Sequence, residues 1–212
     1  MAAEAAPLPL VIASGNAGKI REFATLLAPL PLTVLPQPQG FDVEESGSTF
    51  AENARLKARA VALASKSWAL ADDSGLCVTA LDGAPGVLSA RYGASDSDRI
   101  ERLLRELAAA TLERSRKGQV ADRSARFCAA LAVADPSGTI RLEVEGHCPG
   151  LILEQPRGSG GFGYDPVFLV PEVQLSFAEM DKATKARVGH RGRAFALLEP
   201  QLRALLSRNG RS

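Results

Sequence analysis

Two acidic pairs, Glu44-Glu45 and Asp72-Asp73, are the first residues whose type could do chemistry. Carboxylates near strand ends suit Mg²⁺, a hard cation that takes oxygen ligands together with phosphate and water. Spacing alone also allows a capped turn at Asp72-Asp73 and a solvated acidic loop at Glu44-Glu45. A second group is Ser14-Gly15-Asn16-Ala17-Gly18-Lys19, which lies between an apolar run and a helical pattern. At a helix start, backbone N–H groups and the helix dipole favour an anion, and a lysine adds a point charge. A tight turn with a solvated Lys19 is the alternative. The loop is not a Walker A motif, because Ile20 follows the lysine where Ser or Thr is required.

Asn53 and Lys57 stand four residues apart and share a helix face with Phe50. A lysine on such a stripe either reaches past the ring to solvent or points into a polar pocket. Gly160-Gly161-Phe162-Gly163-Tyr164-Asp165-Pro166 combines glycines, which let backbone approach a ligand, with aromatic rings on which a base can stack. Either ring could instead be a core aromatic beside a turn. Lys185, His190 and Arg191 enter the last helix, where cations oppose the dipole and a ligand-facing role becomes plausible. His147 sits in a strand-like run and reads as structural.

These groups need elements to position them. Leu8 to Ser14 reads as a buried first strand, Lys19 to Ala28 as a helix closed by Pro29 and Pro31, and Leu32 to Leu35 as a second strand. Thr49 and Glu52 have capping-box spacing, which starts a helix from Phe50 to about Lys66. Trp68 to Ala71 is a third strand that ends at an Asp72–Gly75 turn, and Leu76 to Leu81 reads as a short strand beyond it. Gly83 to Gly93 is loop, and Asp96 to Leu112 is a helix. Ala125 to Ala134 and Thr139 to Gly146 form a hairpin around Asp135-Pro136-Ser137-Gly138. Val167 to Val170 is a short strand. The last helix, His190 to Ser207, is expected to kink or restart at Pro200, since proline lacks the N–H and clashes with the preceding turn. Strands that alternate with helices and then give way to a hairpin predict a mixed α/β sheet flanked by helices.

Composition excludes several classes. The chain of 212 residues, with 46% hydrophobic and 23% charged residues, is ordinary for a folded domain. A net charge of +1 argues against a large nucleic-acid surface. No apolar run approaches the roughly 20 residues of a membrane span, and Met1 to Pro9 lacks the pattern of a signal peptide, so a cytoplasmic location is expected. The three cysteines, Cys77, Cys128 and Cys148, have no CxxC spacing. Each reads as a small buried hydrophobe in a reducing compartment.

Taken together, the chain resembles the inosine triphosphate pyrophosphatase family from about Leu10 to Leu206. The resemblance rests on SGNAGK (14–19), EESGSTFAENARLKA (44–58), ADDSGL (71–76), GAPGVLSARYG (83–93), GGFGYDPVF (160–168) and GHRGRA (189–194), in the family's order. It departs at Gly189, where the family often has Ser, and over 176–185, where Lys185 matches better than Lys182. The resemblance implies one pyrophosphatase domain over 1–212, with loose ends at 1–7 and 208–212. It implies an elongated mixed sheet in two lobes around a nucleotide cleft, a homodimer and Mg²⁺. It further implies hydrolysis of non-standard purine nucleoside triphosphates (ITP, dITP, XTP) to the monophosphate and pyrophosphate. By position, Ser14, Gly15, Asn16, Ala17, Gly18 and Lys19 would bind the triphosphate, and Glu45 and Asp73 would hold the metal. Asp73 would also be the base, with Lys57 and Glu45 beside it in catalysis. Asn53, Ser74, Phe162, Gly163, Tyr164, Asp165, Lys185, His190 and Arg191 would contact substrate, with Arg191 directed to the carbonyl at C6 of the base. The rival readings are a pyrophosphatase for other damaged nucleotides, a non-catalytic nucleotide sensor and a P-loop kinase.

Overall fold

The computed structural model describes residues 7–209. Seven strands form one sheet in the order β2-β1-β3-β4-β5-β6-β7. They are β1 (Leu8–Ala13), β2 (Leu32–Pro36), β3 (Trp68–Val78), β4 (Ser124–Ala134), β5 (Ile140–Ile152), β6 (Phe168–Val170) and β7 (Leu175–Ser176). The helices are α1 (Ala17–Leu27), α2 (Phe50–Ser65), α3 (Asp96–Arg116), α4 (Lys182–Val188) and α5 (His190–Asn209). β1 pairs in parallel with β2 and β3, whereas β6 pairs antiparallel with β5 and β7. The sheet is therefore mixed and flanked by helices, as the alternation of patterns predicts.

Two compact units divide the residues. The first contains Met1–Asp73, Ala129–Gly146 and Arg191–Ser212; the second contains Ser74–Cys128 and His147–His190. Successive strand residues point to opposite faces, and in the first unit both faces are buried. Leu10, Ile12, Leu70, Leu131 and Val133 pack with Phe23 and Leu27 of α1 and Phe195, Leu198 and Leu202 of α5. Val11, Ala13, Ala69, Ala71, Ala130 and Ala132 pack instead with Ala54, Ala58, Val61 and Ala62 of α2. Small residues on both partners let α2 lie close to the sheet. The second unit has its own core, in which Leu103 and Leu107 of α3 meet Leu76, Phe127, Phe168 and Phe177.

Helix starts follow their sequence signals. Thr49 and Glu52 form the expected capping box, and Ser95 with Asp98 forms another at α3. Elsewhere the structure corrects the expectations. Asp72–Gly75 is not a turn; β3 runs through it as a single strand to Val78. A polar pair can continue a strand when each carboxylate finds cationic partners on its own face. β5 extends six residues beyond Gly146, alternating exposed and buried to Ile152. Lys185 does not enter the last helix but sits on the separate helix α4. Of the kink or restart expected at Pro200, the restart does not occur: α5 runs through it from His190 to Asn209. Leu198 and Leu202 are buried on either side of Pro200, and Glu199 pairs with Arg203 at 2.8 Å, so packing outweighs one lost backbone donor. Cys128 and Cys148 are buried as expected, but Cys77 is partly exposed. Of the ends expected to be loose, 1–6 and 210–212 lie outside the described residues, while 208 and 209 belong to α5. No helix among the described residues is long and apolar enough to cross a membrane.

Candidate active site

In the first unit, strand parity distributes the acidic pair. Leu70 belongs to the face covered by α1 and α5, and Ala71 to the face covered by α2. Continuing the alternation sends Asp72 toward α1 and α5, and Asp73 toward α2. The side chains do this. Asp72 Oδ2 lies 2.7 Å from Lys19 Nζ of α1 and 3.3 Å from Arg191 Nε of α5. Arg191 Nη1 also meets Glu22 Oε2 at 2.8 Å. Asp73 Oδ1 lies 3.0 Å from Lys57 Nζ of α2, and Asp73 Oδ2 accepts a hydrogen bond from Asn53 Nδ2 at 3.1 Å.

Lys57 is the centre of the α2 side. Its ammonium lies 2.7 Å from Glu45 Oε1 as well as 3.0 Å from Asp73. Burial disfavours this ammonium, but the two carboxylates outweigh burial and raise its pKa. Asp73 moves the other way from an ordinary paired carboxylate. Its burial, with help from the like charge of Glu45, outweighs Lys57 and Lys19 and raises its pKa. Asn53 is buried at 1% exposure and fixes two things at once. Its Oδ1 accepts from Gly47 N at 2.8 Å while its amide holds Asp73, so the loop carrying Glu45 is tied to the strand carrying Asp73. A Cβ at Gly47 would stand 2.7 Å from Asn53 Oδ1, so that approach requires glycine. Lys57 therefore points into a polar pocket and does not reach past Phe50 to solvent.

On the α1 side, Asn16 caps the helix. Its Oδ1 accepts from Gly18 N at 2.8 Å and Lys19 N at 3.1 Å, so two of the amides expected to face an anion are already engaged. Lys19 is not solvated; its side chain is 15% exposed and paired with Asp72. Burial lowers the Lys19 pKa despite that partner. For Asp72, burial pushes the carboxyl up, but Lys19 and Arg191 together hold it well below the usual carboxylate range. Glu22 answers the problem of a cation at the start of α5: with Asp72 it neutralises Arg191 there. Sequence reading missed Glu22, although it follows Lys19 at i+3 on α1, a spacing that places the two on one face.

Ser74, the next residue of β3, belongs to the second unit and is partly buried. In that unit Asp165 organises the glycine-rich loop. Its Oδ2 lies 2.6 Å from Lys185 Nζ and accepts from Phe162 N at 2.9 Å. Lys185 Nζ also stands 4.9 Å from the centroid of the Phe162 ring. Lys182 is exposed at the first turn of α4, so Lys185 is the lysine that serves this loop. Gly161 has φ +77°, and a Cβ there would run into the Asp165 carboxylate, so this position also requires glycine. The two aromatics separate: Tyr164 is buried in the core at 4% exposure, whereas Phe162 is only partly buried. His190 is 2% exposed and stacks on Phe127 with ring centroids 4.7 Å apart.

Each unit thus offers one kind of chemistry. The first presents Glu45 and Asp73 converging on the ammonium of Lys57, with Lys19 and Arg191 held by Asp72 on the other face of β3. Hard oxygen donors in that arrangement suit a divalent ion that takes the rest of its shell from phosphate and water. Among the described residues no group of three or more His, Cys, Asp or Glu side chains is placed to hold a metal ion. The second unit presents an aromatic ring and backbone on a glycine loop braced by Lys185 and Asp165.

Residues 10–201 match the model of the Ham1 family. The chain is 62% identical over 198 residues to the dITP/XTP pyrophosphatase of Parasynechococcus marenigrum (strain WH8102), covering 93% of this chain and 96% of that one. It is 61% identical to the dITP/XTP pyrophosphatase of Synechococcus sp. (strain CC9311), covering 93% and 91%. Among solved structures, a HAM1 protein from Coxiella burnetii superposes with a TM-score of 0.81 at 41% identity, covering 93% of this chain and 99% of its own.

Proposed function

The chain belongs to the Ham1 family, and from that membership and the geometry above we infer that it is a nucleoside-triphosphate pyrophosphatase. It hydrolyses non-standard purine nucleoside triphosphates (ITP, dITP, XTP) to the monophosphate and pyrophosphate, removing damaged nucleotides from the precursor pool. The observation that carries the chemistry is the convergence of Glu45 and Asp73 on Lys57 Nζ, at 2.7 and 3.0 Å. The whole chain is read as one pyrophosphatase domain acting as a cytoplasmic homodimer, with no nucleic-acid or membrane partner.

We assign Mg²⁺ to Glu45 and Asp73, whose oxygens already surround a cation. Such an ion supplies neutralisation of phosphate charge and stabilisation of the leaving pyrophosphate. Asp73, with its proton affinity raised by burial, orients the attacking water and accepts its proton. Asn53 holds the other Asp73 oxygen, fixing which one faces the water. Ser14 to Lys19 receive the triphosphate, with Lys19 and Lys57 turning from their carboxylates toward phosphate oxygens. Phe162 stacks on the base, while Gly163, Tyr164, Asp165, Lys185 and Ser74 shape the nucleotide site. His190 and Arg191 contact the nucleotide, with Arg191 offering donors to the base. Water adds to phosphorus, the phosphoric anhydride bond breaks, and the departing oxygen carries the electron pair. Catalysis in this scheme is positioning and charge neutralisation.

The test is pyrophosphate release from ITP, XTP, dITP, ATP, GTP and dUTP, with and without Mg²⁺. Release from the first three alone, abolished by chelation, is expected. Equal rates on ATP or GTP would overturn the substrate assignment, and undiminished rates after chelation would overturn the metal.

A further inference from the structure

Two contacts in the second unit hold the glycine-rich loop from outside the residues already given a role. Asp96, the first residue of α3, accepts a hydrogen bond from Gly163 N through Oδ2 at 2.7 Å. Its other oxygen pairs with Arg99 Nη1 at 2.5 Å, which fixes the carboxylate plane. One residue further along the loop, Tyr164 donates its hydroxyl to the backbone oxygen of Ser89 at 2.9 Å. Ser89 is 6% exposed and is itself pinned. Its Oγ donates to Gly86 O at 2.6 Å and accepts from Leu76 N at 2.9 Å, so the short 3₁₀ turn over Gly86–Arg91 is locked to β3.

We propose that Asp96 and Ser89 are positioning residues for nucleobase binding. They anchor Gly163 and Tyr164 on two rigid elements, so that Phe162 presents its ring in one orientation. The need for anchoring follows from the backbone. Gly163 has φ +62° with no atom beyond its two chain neighbours within 4 Å of where a Cβ would stand, so the conformation is not enforced by tertiary packing at that residue. Glycine reaches many conformations at little cost, and without a fixed partner the segment would sample several of them. A charge-assisted bond to its N–H, shorter than a neutral one, selects one. Inside the loop, Asp165 holds the Phe162 N–H, so three consecutive residues each have a defined partner: Asp165, Asp96 and Ser89. Tyr164 consequently acts as an anchor buried in the core, and Phe162 is the platform.

This proposal rests on the pyrophosphatase reading, and the experiment separates the two. Wild type, Asp96→Ala, Asp96→Asn and Tyr164→Phe are compared by steady-state kinetics on dITP and by hydrogen exchange of the Gly163 amide. Removing the Asp96 acceptor is expected to raise KM about tenfold and leave kcat within about threefold, because base binding loosens while the phosphate chemistry is untouched. Gly163 exchange should accelerate at the same time. Asp96→Asn keeps an oxygen acceptor and should recover most of the KM, and the Gly163 exchange rate, which a role confined to the start of α3 would not move, separates anchoring of the loop from stability of the helix. Tyr164→Phe should act like Asp96→Ala, and the two changes together should be less than additive because they loosen one loop. Unchanged KM and Gly163 exchange in Asp96→Ala, or a fall in kcat at constant KM, overturns the proposal. An inactive wild type would instead remove the pyrophosphatase reading, and with it the role in base binding.

Discussion

Asp72 and Asp73 are consecutive residues whose carboxylates serve opposite faces of β3. Asp72 Oδ2 is 2.7 Å from Lys19 on α1, and Asp73 Oδ1 is 3.0 Å from Lys57 on α2. The two therefore meet different cations and should respond differently to substitution.

Asp73→Asn should lose about 10³-fold or more in kcat, the scale of one preorganised electrostatic element. Asn keeps the shape and can still meet Asn53, so circular dichroism should show the same fold. Near wild-type turnover would exclude Asp73 as base and ligand.

Lys57→Met leaves Glu45 and Asp73 facing each other without the ammonium between them. Both carboxylates then favour protonation or a cation. Added Mg²⁺ should raise the melting temperature of this variant more than that of wild type, by as much as about 2.7 kcal/mol of stability once the ion reaches roughly a hundredfold excess over its Kd. Equal shifts in both proteins, by calorimetry, would mean that these carboxylates are not where the ion binds.

Asp72→Asn removes the charge that Lys19 and Arg191 share. Breaking a buried pair from one side costs about 3–5 kcal/mol, which urea unfolding at neutral pH can measure. The pH dependence has a definite sign. Because Lys19 and Arg191 overcome burial and depress the Asp72 pKa, its contribution is complete above the unfolded carboxylate value of about 3.9 and is lost as pH falls below it. Wild type should therefore lose stability below about pH 4, and Asp72→Asn should lose less over that range. Parallel acid profiles would contradict the pairing.

Phe162→Ala should weaken all nucleotides alike, because stacking does not choose among bases. Arg191→Ala should mainly reduce the preference for ITP over ATP, since a guanidinium donates to the C6 carbonyl and cannot accept from an amine. The same substitution also removes one cationic partner from each of Asp72 and Glu22. The informative quantity is the ratio of kcat/KM values for ITP, ATP and GTP in each variant. A uniform loss in Arg191→Ala would assign this arginine to structure or phosphate, the role its two carboxylate contacts would then explain.

Local chemistry determined much of the protein directly from the sequence. The Thr49 and Glu52 box starts α2 where its spacing says, the Asp135–Gly138 turn joins two strands, and Asn53 and Lys57 share a helix face because four residues make about one turn. What sequence left undecided depended on partners distant along the chain. Asp72-Asp73 looked like a turn because two adjacent carboxylates are costly to bury, and only Lys19, Arg191 and Lys57, brought from three separate helices, make a strand the cheaper state. At Pro200 a kink or restart is expected because the local penalty is visible in the sequence, whereas the packing of Leu198 and Leu202 that carries α5 through without a restart is not. Tyr164 and Phe162 could not be told apart by type; Ser89, seventy-five residues away, takes the hydroxyl of one and makes it an anchor. Sequence determines which groups are available and their local conformation, while tertiary structure decides which charge each one meets, because that pairing is set by strand parity and helix packing across the whole fold.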